Sequence, residues 1–371
     1  MKFSTQDHQK LLDKTLHQLL AEFQSLVFLN IYMFPKMKMI KKIDQPSYTI
    51  DKKILKRFNQ RQNIFGRKLY DPTSDFYKIG MYDNSSKVIS ENKEGYSHLE
   101  FARIMGSWAV YDYFHNAFSW EKLTDATTVM EKPLLKKHHV KDTAKMSEEI
   151  KETARNYGAY QVGITQINDN WIYSKNMDNN PIMIPEEFKY AIVMTIKMDG
   201  SAIKTSPAFT ACTATGLAYS KMAFIISCMA EFIRNLGYKA IPMGNDTALS
   251  IPLAIDAGIG ELGRNGLLIT PEYGPCVRIC KIFTELPLKT DKPITFGVTD
   301  FCKSCKKCAE ACEVDAIQTT DEPSFNVACP SNNQGILRWA VNHDKCYKFW
   351  IENGGDCSNC IAACPFFTYK I

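Results

Sequence analysis

The 371-residue sequence holds no unbroken apolar run of the ~18 residues that a membrane-crossing helix requires. The stretch SLVFLNIYMFP at 25–35 is short and interrupted by Asn30. It is expected to form a buried helix or a hydrophobic cap, with docking to a membrane-associated partner as the alternative. Charge of one sign is also lacking. The 45 basic residues face 40 acidic ones, a net charge of +5, which does not call for nucleic acid. Lys136-Lys137-His138-His139 is too short a basic run to change this and is expected in a solvated loop. No secretory pattern and no twin-arginine pair stands at the first residues. Histidine is scarce, with seven in the chain.

Cysteine is plentiful by contrast, with thirteen residues. A chain this long builds a core without disulfides, so the cysteines are expected to serve other chemistry in a reducing compartment. FCKSCKKCAEAC (301–312) has the spacing C-x2-C-x2-C-x3-C, and Cys346, Cys357, Cys360 and Cys364 with Pro365 form a second set. Two groups of four cysteines match two [4Fe–4S] clusters. In that arrangement the fourth cysteine of each run crosses to the other cluster. Cys302, Cys305, Cys308 and Cys364 are therefore assigned to one cluster, and Cys312, Cys346, Cys357 and Cys360 to the other. Two features depart from the pattern: Glu313 stands where proline is usual, and ten residues separate Cys346 from Cys357. The alternative is a pair of zinc sites, since C-x2-C also serves zinc, but the triple spacing suits a cubane better. Cys212 and Cys228 fall in a helical stretch, Cys276 and Cys280 in a strand, and Cys329 lacks a partner at ligand spacing. All five are left outside the metal sites.

Residues 9–23 have a helical apolar rhythm. FNQRQNIFGRKLYD (58–71) looks like a segment that wraps another part of the chain. The stretch 99–118 is rich in aromatics, including Trp108, Tyr111, Tyr113, Phe114 and Phe118; some belong to the core and some line a pocket. From 141 the pattern becomes periodic. Helices are expected at 146–157, closed by Gly158, at 211–236, closed by Gly237, and at 250–257 with Pro252 in the first turn. Strands are expected at 160–165, 190–197, 238–243, 266–270 and 277–283. Gly258-Ile259-Gly260-Glu261-Leu262-Gly263 fits G-x-G-x-x-G, but it follows a helix and leads into a strand, the reverse of a dinucleotide fingerprint. A close backbone approach to another ligand remains open there.

From 154 to the C-terminus the chain resembles the corrinoid- and iron–sulfur-dependent reductive dehalogenases. The resemblance is carried by ARNYGAYQVGI (154–164), TATGLAYSKMA (213–223), FIRNLGYKAIP (232–242), SIPLAIDAGIGELGRNGLLITPEYGPCVRI (250–279), TELPLKTDKPITFGV (284–298) and both cysteine runs. FNQRQNIFGRKLYD (58–71) joins it. The resemblance implies an α+β fold, in which a nitroreductase-like corrinoid-binding domain (141–298) follows an N-terminal wrapping region (1–140). A ferredoxin-like domain with the two clusters (299–371) completes it. The corrinoid would be base-off, with no protein histidine beneath cobalt, and no D-x-H-x-x-G signature is present. By motif and spacing the family's proton donor, neighbouring amide and arginine fall on Tyr219, Asn245 and Arg278, with Thr215 and Trp350 as pocket lining. The chemistry is coherent: a free tyrosine, with a pKa of about 10, is protonated at neutral pH. A guanidinium stabilises the phenolate left behind, and an amide orients the hydroxyl.

The expected activity is reductive cleavage of a carbon–halogen bond in a small organohalide. Electrons would come from a low-potential donor such as reduced ferredoxin or flavodoxin. Two alternatives are an epoxyqueuosine reductase-like enzyme acting on tRNA, and a plain iron–sulfur electron carrier. Against the tRNA enzyme, there is no helical-repeat extension and no strong basic face. Exported members of the resembled family carry a twin-arginine signal, so a cytoplasmic protein is expected, with a membrane partner at 25–35 as an option.

Overall fold

The computed structural model describes residues 39–114 and 136–367. The rhythm at 9–23, the stretch 25–35, Phe118 and the side chains of Tyr113 and Phe114 lie outside the described residues. Residues 40–371 form one compact unit.

Among the described residues eight strands run in chain order: β1 (Lys41–Lys42), β2 (Gln161–Gln166), β3 (Tyr190–Lys197), β4 (Ala240–Met243), β5 (Glu261–Leu262), β6 (Leu268–Ile269), β7 (Val277–Thr284) and β8 (Ile294–Thr295). Four of them make an antiparallel sheet in the order β2-β3-β7-β4, with Ile196 opposite Arg278 and Met243 opposite Lys281. The inner strands are buried almost end to end because the sheet is covered on both faces. Side chains alternate, so each strand feeds two cores. Ile192, Met194, Cys280 and Ile282 join the core under the helix Phe209–Asn235. Ala191, Val193, Ile241 and Phe283 join a second core under the short helix Ser250–Asp256. Arg278 and Lys281 are three residues apart on β7 and so point to opposite faces.

The helix expected at 211–236 runs Phe209–Asn235, and Gly237 beyond it has φ +86. It is long and apolar enough to cross a membrane by length and composition. More than half of its apolar window is buried inside the unit, however, which makes it the central core helix. The helix expected at 146–157 spans Thr143–Asn156. The Asp142 side chain accepts from the amides of Ala144 and Lys145, satisfying orphan donors at its start. Gly158 follows its end with φ +110, a conformation only glycine adopts freely. The strand expected at 266–270 narrows to β6, which pairs with β5, so the glycine motif lies in a small hairpin. Cys280 lies in β7, whereas Cys276 immediately precedes it.

The segment 58–71 does wrap the body. Phe58 enters the second core against Tyr173. Arg57 donates to the carbonyls of Ile172, Tyr173 and Ile182. Arg67 pairs with Asp71 and with Asp344 of the C-terminal region. The helix His98–Phe114 lies along the central helix, and Ser220 Oγ donates to Ser107 O at 2.5 Å. A Cβ on Gly216 would sit 2.2 Å from Ser107 Oγ and 2.6 Å from Trp108 Cδ1, so the two helices approach as closely as they do only over a glycine.

Candidate functional site

Tyr219 lies midway along the central helix and is half-buried. Three elements converge on it. Trp108 of the helix His98–Phe114 stacks on its ring, with centroids 4.8 Å apart and planes at 23°. Tyr111 from the same helix meets it edge-on at 5.1 Å. The loop after β4 brings Asn245, whose Nδ2 donates to Tyr219 Oη at 2.8 Å. Arg278 from β7 places its guanidinium 5.2 Å from the ring centroid and donates to Thr215 Oγ1 at 3.2 Å. The structure thus brings together Tyr219, Asn245, Arg278 and Thr215. Arg278 covers the ring rather than touching the hydroxyl, so its effect on the oxygen is Coulombic. Trp350 stands elsewhere, on the helix His343–Asn353, with its ring against Phe65 and Tyr347.

The aromatic-rich stretch contributes Trp108 and Tyr111, which sequence alone left unchosen. Their offsets of seven and ten residues from Phe101, which packs on Phe209, say only that they share a helix; which ring meets Tyr219 depends on tertiary pairing. Lys281 was missed altogether. It is fully buried, and its ammonium donates to the carbonyls of Gly244 and Asp246, at 2.6 and 3.1 Å, and to Ser250 Oγ at 3.1 Å. Burial pulls its pKa down to about 8, opposed by Asp246. These bonds flank Asn245, so Lys281 fixes the loop that presents the amide. A lone lysine in an apolar strand gives no advance sign of this.

The eight cysteines fall into two neighbourhoods. Burial pushes the Cys364 thiol up to about 12, and the thiols that add to this are Cys302, Cys308 and Cys305. Burial likewise raises Cys346 to about 12, with Cys357 and Cys312 beside it. Cys360 is raised by burial and then by Cys346, Cys357, Cys308 and Cys312. These neighbours are compatible with the crossed grouping expected from the spacing, and Cys308 also acts on Cys360. Among the described residues no three such side chains converge as one metal ion would need. A cubane makes a different demand, because each thiolate serves its own iron corner. Cluster insertion must displace protons from these raised thiols.

The second quartet is tied to the start of the central helix. Ser206 Oγ donates to Cys357 Sγ at 3.8 Å and accepts from the Ser358 amide at 2.7 Å. Cys212 Sγ donates to Asp356 O at 3.1 Å. From Cys212 to Tyr219 the helix rises by about 10 Å. One helix therefore connects the Cys357 neighbourhood to the tyrosine.

Buried polar atoms without a partner test whether a further group belongs here. Arg278 Nε, which flanks Tyr219, is of this kind. A donor held beside a half-buried hydroxyl and an exposed amide fits a ligand that brings its own acceptor.

Comparison with known proteins agrees with this geometry. Residues 301–368 match the 4Fe-4S dicluster domain family. A tetrachloroethene reductive dehalogenase of Desulfitobacterium hafniense is 37% identical over 293 residues, 67% of this chain and 52% of the relative. One from Sulfurospirillum multivorans is 36% identical over 255 residues, 61% of this chain and 51% of the relative. A solved reductive dehalogenase, described as suggesting a mechanism for B12-dependent dehalogenation, superposes with a TM-score of 0.68 over 89% of this chain and 44% of its own, at 24% identity. The chain spans about half the length of the curated relatives it matches. With the dicluster match and identities of 36–37% to tetrachloroethene reductive dehalogenases over 61–67% of its length, the chain is a relative of the reductive dehalogenases.

Proposed function

We propose that this chain catalyses corrinoid-dependent reductive dehalogenation, in which a small organohalide gains a pair of electrons and a proton and releases halide. The observation that carries this reading is the Tyr219 group, a hydroxyl fixed by Asn245 and backed by Arg278 and Trp108, joined by one helix to a thiol quartet. A base-off corrinoid, when bound, would supply the low-potential metal chemistry that breaks the carbon–halogen bond. Arg278, Trp108, Thr215 and Asn245 are the residues that would border it. Two [4Fe–4S] clusters on the two quartets would pass electrons inward from a low-potential donor such as reduced ferredoxin or flavodoxin. A nitroreductase-like description of the helix-flanked antiparallel sheet accords with this use.

The chain's own part is positional. Tyr219 holds the proton that replaces the halide, and a tyrosine is protonated at neutral pH. The Asn245 amide donates to Tyr219 Oη, which leaves the hydroxyl hydrogen free to point toward substrate. Arg278, over the ring, stabilises the phenolate that remains. Trp108 and Tyr111 shield the ring from water and set its tilt. Lys281 keeps the Asn245 loop in place from the opposite face of the sheet.

The test is anaerobic reconstitution with iron, sulfide and a corrinoid, followed by halide release from a panel that begins with tetrachloroethene, the substrate in the relatives' names, and extends to haloaromatics. Reductant- and corrinoid-dependent halide release is the expected result. A protein that loads both cofactors and releases no halide from any member overturns the proposal.

A further inference from the structure

The glycine motif at 258–263 has no part in the site above, yet its hairpin ends in one of the most enclosed cations of the molecule. Arg264 is 1% exposed. Its Nε and Nη2 donate to Cys302 O, at 3.1 and 2.6 Å, its Nε also to Cys305 O at 3.0 Å, and its Nη2 to Lys303 O at 3.3 Å. Its Nη1 donates to Gln318 O and Thr320 O, at 2.7 and 2.8 Å. The guanidinium lies 4.5 Å from the Trp339 ring centroid, and Trp339 Nε1 also donates to Thr320 O. The glycines permit this placement. A Cβ on Gly260 would stand 2.2 Å from Ile269 O, and one on Gly263 would stand 2.8 Å from the Ile269 side chain, so the hairpin closes only without them.

We propose that Arg264 is a positioning residue that sets the reduction potential of the cluster held by Cys302, Cys305, Cys308 and Cys364. The proposal rests on the reading that these thiols hold a cluster. Every hydrogen bond that Arg264 makes among the described residues ends on a neutral carbonyl, so its fixed charge is not cancelled by them. A clamp on carbonyls needs only N–H donors, which a neutral amide supplies. Burying a permanent cation costs desolvation that carbonyls only partly offset. A thiolate-ligated cluster is anionic, and one bound at Cys302 and Cys305 would lie beside the carbonyls that Arg264 clamps. Reduction adds negative charge to the cluster, so an adjacent buried cation stabilises the reduced form and raises the potential.

The effect is selective. Among the described residues the guanidinium's bonds to the cysteine runs fall on the carbonyls of Cys302, Lys303 and Cys305, all in the first run. The one opposing charge on the same hairpin, Glu261, is turned toward the start of the helix Val298–Ser304. There its carboxylate accepts from the amides of Phe296 and Val298 and from Thr295 Oγ1.

The test is an anaerobic redox titration of the reconstituted full chain, with the two clusters followed separately by EPR. In Arg264→Gln one midpoint should fall and the other should stay at its parent value, with iron content unchanged. An iron-replete Arg264→Gln protein with both midpoints at parent values overturns the proposal. If that variant fails to load, Arg264→Lys decides. Its midpoint should stay near the parent's while the buried lysine is charged and fall as rising pH deprotonates it. A midpoint that does not fall once the lysine is deprotonated also overturns the proposal. Absence of iron from the parent protein would instead defeat the cluster reading itself, which separates the two failures.

Discussion

The cluster region and the tyrosine region reach their geometry by different routes. Seven of the eight candidate ligand cysteines come from two short runs, Cys302 to Cys312 and Cys357 to Cys364, held on helices of seven residues or fewer and the turns between them. The tyrosine region draws Trp108, Tyr219, Asn245 and Arg278 from two helices, a loop and a strand. A local site tolerates a flexible frame because the cluster itself pulls the ligands into register. A site assembled at long range needs its register built beforehand, by buried contacts such as those of Lys281 and Gly216.

Four perturbations test that contrast, beginning with the largest effect. Cys302→Ala and Cys357→Ala should each remove one cluster, so that iron per chain falls by about half and halide release is abolished. Iron analysis with EPR checks this, and a full iron complement in either variant would break the assignment. Tyr219→Phe removes one hydroxyl and keeps the ring, so both cofactors should remain while turnover falls by roughly 10²-fold. Parent-rate dehalogenation by a loaded Tyr219→Phe protein would show that another group delivers the proton. Asn245→Ala should cost about tenfold in turnover, the scale of one orienting hydrogen bond, with iron content unchanged. Steady-state rates at saturating substrate measure it.

The last perturbation lies outside both regions. Burial lifts the Asp256 carboxyl to about 6, partly opposed by donation from Tyr48 Oη and Trp171 Nε1. The folded chain therefore holds that proton at higher pH than the unfolded chain. The resulting stability is fully present below the unfolded value of 3.8 and is lost as pH rises through about 6. The loss should be on the order of 2–3 kcal/mol. Asp256→Asn should flatten this slope in thermal unfolding between pH 4 and 7, while leaving both cluster midpoints untouched.

The contrast also explains what the sequence disclosed. Cysteine spacing is a local property, so a dicluster region was legible from the two cysteine runs alone. Gly158 and Gly237 closed helices where a positive φ was expected. Tyr219, Asn245 and Arg278 were legible only through resemblance, because nothing local distinguishes Tyr219 from the other tyrosines. Trp350 shows the limit of that route: its motif matched, yet its ring contacts are with Phe65 and Tyr347. The glycine motif was legible as something other than a dinucleotide loop. What its Arg264 binds depends on carbonyls 38 to 56 residues away, which no pattern encodes.

Gly216 ties the surroundings of Tyr219 to the spacing of two helices. Since a single added carbon would strike both Ser107 and Trp108, the wall of the site cannot be moved inward by one methyl without prying the helix pair apart. Nor can it be moved outward by trimming Trp108 without leaving a void against Tyr219. The space beside Tyr219 and thermal tolerance are therefore not independent traits in this chain. A lineage or a designer seeking more room there must first find stability elsewhere.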